Sequence, residues 1–114
     1  MGKLDDLVIH KKSLSLIEQI YLLVNQNISL RKDFSLLDQI KRSSVSVATN
    51  IAEGYYRNQK QSHNYLRIAA GSANETATLL EIIYRVYKLN CQKLKEDYLY
   101  LAKQISAFAK SFTS

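Results

Sequence analysis

The sequence predicts an all-α protein, an antiparallel up-and-down four-helix bundle, and three observations predict it. The 114 residues contain no Pro and only three Gly, so strong helix breakers are almost absent. Apolar residues recur at alternating steps of three and four along most of the chain, the period of helices packed along one face. Four such stretches are separated by short polar segments, and a chain of this length suits one domain, 1–114, with one core.

The first helix is expected over about residues 4–27. Leu7, Leu14, Ile17, Tyr21, Val24 and Ile28 keep the alternation. Asp5 and Asp6 fall in its first turn, where the helix dipole favours acids, and Lys11 and Lys12 mark a solvated patch. The polar segment 25–33 reads as the first connection, with Asp33 as the cap of the next helix.

The second helix, about 33–56, organises the chain. Leu37, Ile40, Ser44, Val47 and Ile51 form its core stripe, and Gln39, Arg42, Ser46, Asn50, Glu53 and Arg57 lie roughly opposite. Ser43, Ser44, Ser46, Thr49 and Asn50 crowd its middle, although Ser, Thr and Asn do not favour helix interiors. Short side chains there imply that the helix is approached closely on more than one side. Gly54 is read either as a C-terminal cap or as a residue inside a helix that continues for another turn.

The third helix is expected over about 62–89, with the segment 58–64 as a connection or as its start. One stripe is Tyr65, Ile68, Ala69, Ser72, Thr76, Leu79, Leu80, Ile83 and Tyr87; a second is Leu66, Ala70, Ala73, Ala77 and Tyr84. An isolated bundle buries one broad face of each helix, so apolar surface on two flanks predicts a homo-oligomer. The fourth helix, about 92–112, has the cleanest stripe: Leu94, Tyr98, Leu101, Ile105, Phe108 and Phe112.

Composition excludes several classes. The lone Cys91 has no intramolecular disulfide partner, no apolar run approaches the roughly 20 residues of a membrane span, and the N-terminus has acids where a secretory signal needs bases. A cytoplasmic protein is expected. His10 and His63 have no Cys, Asp or Glu at metal-ligand spacing, Glu53 and Glu75 are followed three places on by Tyr56 and Thr78 rather than His, and neither a nucleophile elbow nor a phosphate loop is present. No enzyme, metal, cofactor or small-molecule substrate is expected.

Two blocks carry a resemblance. The run QIKRSSVSVATNIAEGYYR over 39–57 resembles the signature of a bacterial four-helix-bundle family first noticed as reading frames inside intervening sequences of large-subunit ribosomal RNA genes. The run LRIAAGSANET over 66–76 resembles the same family's third-helix signature, in which Gly-Ser is followed by Glu. The resemblance covers nearly the whole chain and departs from the common pattern at Ala48, Thr49, Tyr55 and Tyr56. It implies kinship with the accessory variability proteins of diversity-generating retroelements, which are basic pentamers binding a reverse transcriptase and nucleic acid. A pentamer is therefore the expected oligomer, and a reverse transcriptase a candidate partner.

The formal charge of +6 and the pI near 9.5 favour an anionic partner once copies assemble. The nucleic-acid-binding candidates are Lys41, Arg42, Arg57, Lys60 and Arg67, together with Arg31 and Lys32, while Tyr55, Tyr56 and His63 are available to stack on unpaired bases. Asn50, Glu53, Gly54, Gly71, Ser72 and Glu75 are read as a structural network between helices or subunits. The alternative reading is a protein-interaction or structural oligomer without a nucleic-acid role.

Overall fold

Side-chain caps write most of the helix starts in this chain. Asp33 Oδ1 accepts from the Leu36 N–H at 3.1 Å, Asn27 Oδ1 from Leu30 at 2.8 Å and Asn58 Oδ1 from Gln61 at 3.0 Å. Each satisfies an amide that a helix N-terminus leaves without an internal partner. The computed structural model describes residues 4–111 and, among them, five α-helices and no strand. They are α1 (Val8–Asn25), α2 (Ile28–Arg31), α3 (Phe34–Tyr55), α4 (Gln59–Tyr87) and α5 (Gln92–Lys110).

The boundaries depart from the sequence reading where local chemistry intervenes. Leu7 is extended, with φ −75° and ψ 118°, so Asp5 and Asp6 form a 3-10 turn ahead of α1 instead of its first turn. The expected connection over 25–33 contains the extra turn α2, held by the Asn27 cap and by Leu30, which is fully buried. Capped by Asn58, α4 begins three residues before the expected start, and it ends on Lys88 in the left-handed conformation, φ 56°.

The long helices pack as neighbours. α3 and α5 run antiparallel along two sides of α4, as the pairings Ser43–Thr76, Ser46–Ser72 and His63–Ala109 require, and α1 lies against α3 and α5. At 1.5 Å per residue the 29 residues of α4 span about 44 Å, close to the 46 Å long axis of the molecule. The predicted stripe of α3 is buried throughout, and Leu94, Tyr98, Leu101 and Ile105 of α5 are buried while Phe108 is half-buried. Phe112 lies outside the described residues. Each fully buried Ile or Leu contributes about 1.5–3 kcal/mol.

Two expectations are corrected by this packing. α1 turns a partly different stripe inward: Ile9, Ser13, Leu16, Ile20 and Leu23 are buried with Val24 of the expected stripe, whereas of the other expected residues Leu7 and Ile17 are half-buried and Leu14, Tyr21 and, in α2, Ile28 are exposed. Both stripes keep three-and-four spacing, and Ser13, which disguises the true one, internalises its hydroxyl by donating to the His10 carbonyl at 2.7 Å. Lys12 is likewise no solvated residue, since it donates to Gln104 Oε1 at 3.2 Å and lies 4.6 Å from the centre of the Tyr100 ring. The second correction concerns α4. Leu66, Ala70, Ala73 and Ala77 are buried inside the chain, because α4 has a helix on each side. Apart from Tyr84, which is 49% exposed, that stripe is no surplus surface and carries no argument for assembly.

Candidate nucleic-acid interface

The short side chains of α3 meet those of α4. Ser43 Oγ and Thr76 Oγ1 are 2.8 Å apart, Ser46 Oγ and Ser72 Oγ 2.9 Å apart, and Thr76 donates to the Ser72 carbonyl at 2.8 Å. Asn50 Nδ2 donates to the Ser46 carbonyl at 2.9 Å and reaches Ser46 Oγ at 3.0 Å. The crowding of Ser and Asn in mid-helix is thus the price of a close, hydrogen-bonded helix pair. Of the residues read as a network, Asn50 and Ser72 meet through Ser46, whereas Glu53 and Glu75 are exposed, Glu53 with Arg57 as its partner. Gly71 is exposed too, and a Cβ added there meets nothing within 4 Å. A polar groove of about 380 Å³ opens beside the network, lined by Gln39, Arg42, Ser43, Ser46, Ser72 and Glu75.

Gly54 lies inside α3, whose cap is Tyr56, and its function is proximity. A Cβ there would come 3.1 Å from Tyr65 Cβ and 3.2 Å from the Ser62 carbonyl oxygen. The Ser62 hydroxyl donates to the Gly54 carbonyl and lies 3.0 Å from that of Arg57, which satisfies the end of α3 and fixes the start of α4 on it.

Near this turn Tyr56, Arg57, Lys60 and Arg67 are exposed and Tyr55 is half-buried, and one candidate is an exception in being bonded to another helix. Tyr55 and Tyr56 meet edge to face, 5.1 Å between ring centres, and Tyr56 is 72% exposed. The Arg57 guanidinium donates to Glu53 at 2.7 Å, which raises its already high pKa, and lies 5.8 Å from the Tyr65 ring centre. Lys60 and Arg67 are exposed and make no ion pair with any described residue. His63 is the exception, because its Nδ1 is 3.1 Å from the Ala109 carbonyl and the half-buried ring joins α4 to α5 instead of standing free to stack. Lys41 and Arg42 are not part of this group. They sit in the first half of α3, Lys41 5.0 Å from the Tyr21 ring centre and Arg42 3.4 Å from Asp38. Arg31 and Lys32 lie at the far end of α3 from the turn.

A family model described as 23S rRNA-intervening sequence protein matches residues 5–111. The chain belongs to the 23S rRNA-intervening sequence protein family. Among solved structures it is similar to a Bacteroides thetaiotaomicron VPI-5482 protein of unknown function from the S23 ribosomal protein family, determined at 1.70 Å. The two are 28% identical, with a TM-score of 0.70, and the match covers 94% of this chain and 100% of that one. No curated protein matches.

In this member of the 23S rRNA-intervening sequence protein family, charge is distributed unevenly along the helices. Three of the ion pairs, Arg85–Glu81, Lys95–Glu81 and Lys93–Asp97, gather where α4 passes to α5, and the two cations hold the Glu81 carboxyl below its usual pKa. The opposite end holds Asp5 and Asp6 ahead of α1 and Glu53 on α3, but no Asp or Glu occurs between Glu53 and Glu75 or after Asp97. Lys103 and Lys110 of α5 belong to that end and were missed from the sequence. The signal was legible as two acid-free segments, but only the antiparallel packing of α4 and α5 brings them together. Among the described residues no group of His, Cys, Asp or Glu could hold a metal ion and no helix is long and apolar enough to cross a membrane. The Cys91 thiol is buried against the Leu80 carbonyl, and burial pushes its pKa up.

Proposed function

We propose that this chain is a non-enzymatic accessory protein that binds RNA or single-stranded DNA through the end that holds the turn from α3 to α4. The observation that carries the reading is the turn from α3 to α4 with the first turns of α4, where Lys60 and Arg67 are exposed and make no ion pair with any described residue, and where Tyr56 is exposed. Cations of this kind release counterions from a phosphate backbone, and an exposed aromatic ring gives an unpaired base a face to stack on. In this reading the four long helices form an up-and-down bundle, copies of which assemble, and a reverse transcriptase is the protein partner to look for.

The contact between copies is assigned to the outer face of α3 and α4. Ile68, Glu75 and Ile82 follow one another at steps of seven on α4, all exposed, beside the polar groove with its floor of short serines. Gly71 leaves open space on the same helix for a neighbouring backbone. Five copies is the number that the resemblance implies.

The experiment is binding of a structured RNA and of a single-stranded DNA by the wild-type protein and by Lys60→Ala with Arg67→Ala, with oligomer mass measured by sedimentation velocity in the same buffer. Binding by the wild type and about ten-fold or greater loss in the double variant at unchanged mass are expected. No binding by an intact protein at low salt would favour the second reading, a protein-interaction module. A specific observation speaks for that module: Phe34, Ile28 and Val86 are 78%, 67% and 60% exposed on the end away from the basic turn.

A further inference from the structure

We propose that the groove between α4 and α5 is a track for one strand of nucleic acid, with Lys103 and Lys110 on one wall and Lys60 and Arg67 on the other. The inference rests on the reading of the chain as a nucleic-acid-binding protein and names both the ligand form and a second set of residues.

The groove is lined by Asn74, Leu99, Ala102, Lys103, Ser106, Ala107 and Lys110 and has a volume of about 630 Å³. Its α4 wall extends beyond Asn74. Residues 60, 67 and 74 are spaced by seven, so Lys60 and Arg67 share the Asn74 face of α4 to within about 20° per step. Lys103 and Lys110 have the same spacing on α5, a rise of about 10 Å at 1.5 Å per residue. The bond from His63 to the Ala109 carbonyl brings Lys110 level with the Lys60–Arg67 segment. Lys103 and Lys110 thus line the groove and Lys60 and Arg67 continue the Asn74 face of α4, and residues 59–74 of α4 and 98–110 of α5 contain no Asp or Glu. The groove interior is different in kind, since Leu99, Ala102 and Ala107 offer apolar surface, with Asn74 and Ser106 as hydrogen-bonding groups. Cationic walls over an apolar floor suit a strand whose phosphates face outward and whose sugars and bases turn in. A duplex presents phosphates on its outside and stacked bases within, and gains nothing from that floor.

The test is fluorescence anisotropy with labelled oligouridylate of about 16 nucleotides, the upper end of a single-strand site. Wild type, Lys103→Gln with Lys110→Gln, and a charge-matched control, Lys88→Gln with Lys93→Gln at the other end, are compared at several salt concentrations. Removing two phosphate contacts should lower the magnitude of the log–log salt slope by about 1.4, which is about 25-fold in affinity at 0.1 M salt. The control should change far less, and a duplex of the same length should bind the wild type more weakly than the single strand. Circular dichroism establishes that both variants are folded. Equal losses in the two variants, or duplex bound as tightly as single strand, would overturn the track while leaving the binding reading intact. No binding by the wild type would overturn both.

Discussion

Tyr87 at the end of α4 donates its hydroxyl hydrogen to Asp33 Oδ2 at 2.6 Å, while Oδ1 of the same carboxylate caps α3. One side chain thus fixes both the start of α3 and its position against α4. The Tyr87 hydroxyl, and then the Leu36 N–H, hold the Asp33 carboxyl below its ordinary pKa, and the Tyr87 hydroxyl is pushed up by the same bond.

A pH dependence follows from the sign of that shift. A carboxylate whose folded pKa lies below its unfolded value stabilises the fold above the unfolded pKa, about 3.9, and that contribution is lost as pH falls through the folded value. Tyr87→Phe is expected to lower the melting temperature at pH 7, and its deficit relative to wild type to shrink as the pH is taken below about 4. A deficit constant from pH 7 to pH 3 would refute the linkage.

Gly54 and Gly71 should respond to alanine in opposite directions. Gly54→Ala pushes a Cβ against Tyr65 and the Ser62 backbone, so α3 and α4 must separate, at a cost of about 1–3 kcal/mol. Gly71→Ala places a methyl in open space in mid-helix and should stabilise the isolated chain by about 0.5–1 kcal/mol. Urea unfolding gives both values. A destabilised Gly71→Ala whose oligomer mass also falls would locate a subunit contact at that position.

Tyr98 is fully buried and its hydroxyl has no hydrogen-bond partner among the described residues; burial alone pushes its pKa up. Tyr98→Phe removes the unsatisfied group while keeping the ring, and should stabilise the protein by about 1 kcal/mol. A lower melting temperature in this variant would show that the hydroxyl is satisfied in solution.

Glu53 and Arg57 form an exposed pair on α3. Pairs of this kind contribute about 0.2–1 kcal/mol, so Glu53→Gln should barely change thermal unfolding. The same change releases a cation at the turn and should tighten RNA binding a few-fold, by losing an acid beside it. Weaker binding would mean that the pair acts as a unit.

The fold was legible because each long helix carries an unbroken apolar stripe, and in α3 and α5 that stripe is the buried one. It failed in α1, where two stripes fit equally and Ser13 concealed the right one. It failed for Leu66, Ala70, Ala73 and Ala77 because periodicity reports that a face is apolar, not whether a neighbouring helix of the same chain covers it. Tyr56, Arg57, Lys60 and Arg67 could be named as candidates because cations and aromatics interleave there. Lys103 and Lys110 could not, since they come level with the first half of α4 only through the antiparallel pairing of α4 with α5, and the bond of His63 to the Ala109 carbonyl leaves no trace in a side-chain pattern.

The most direct test of the central claim is a salt series on the wild-type protein, binding single-stranded RNA between about 0.05 and 0.2 M monovalent salt, with helicity and mass checked in each buffer. If Arg57, Lys60 and Arg67 all engage phosphates, log affinity should fall against log salt with a slope of about −2 or steeper, given about −0.7 per contact. A slope near zero, or no binding at the lowest salt by a folded protein, would contradict it.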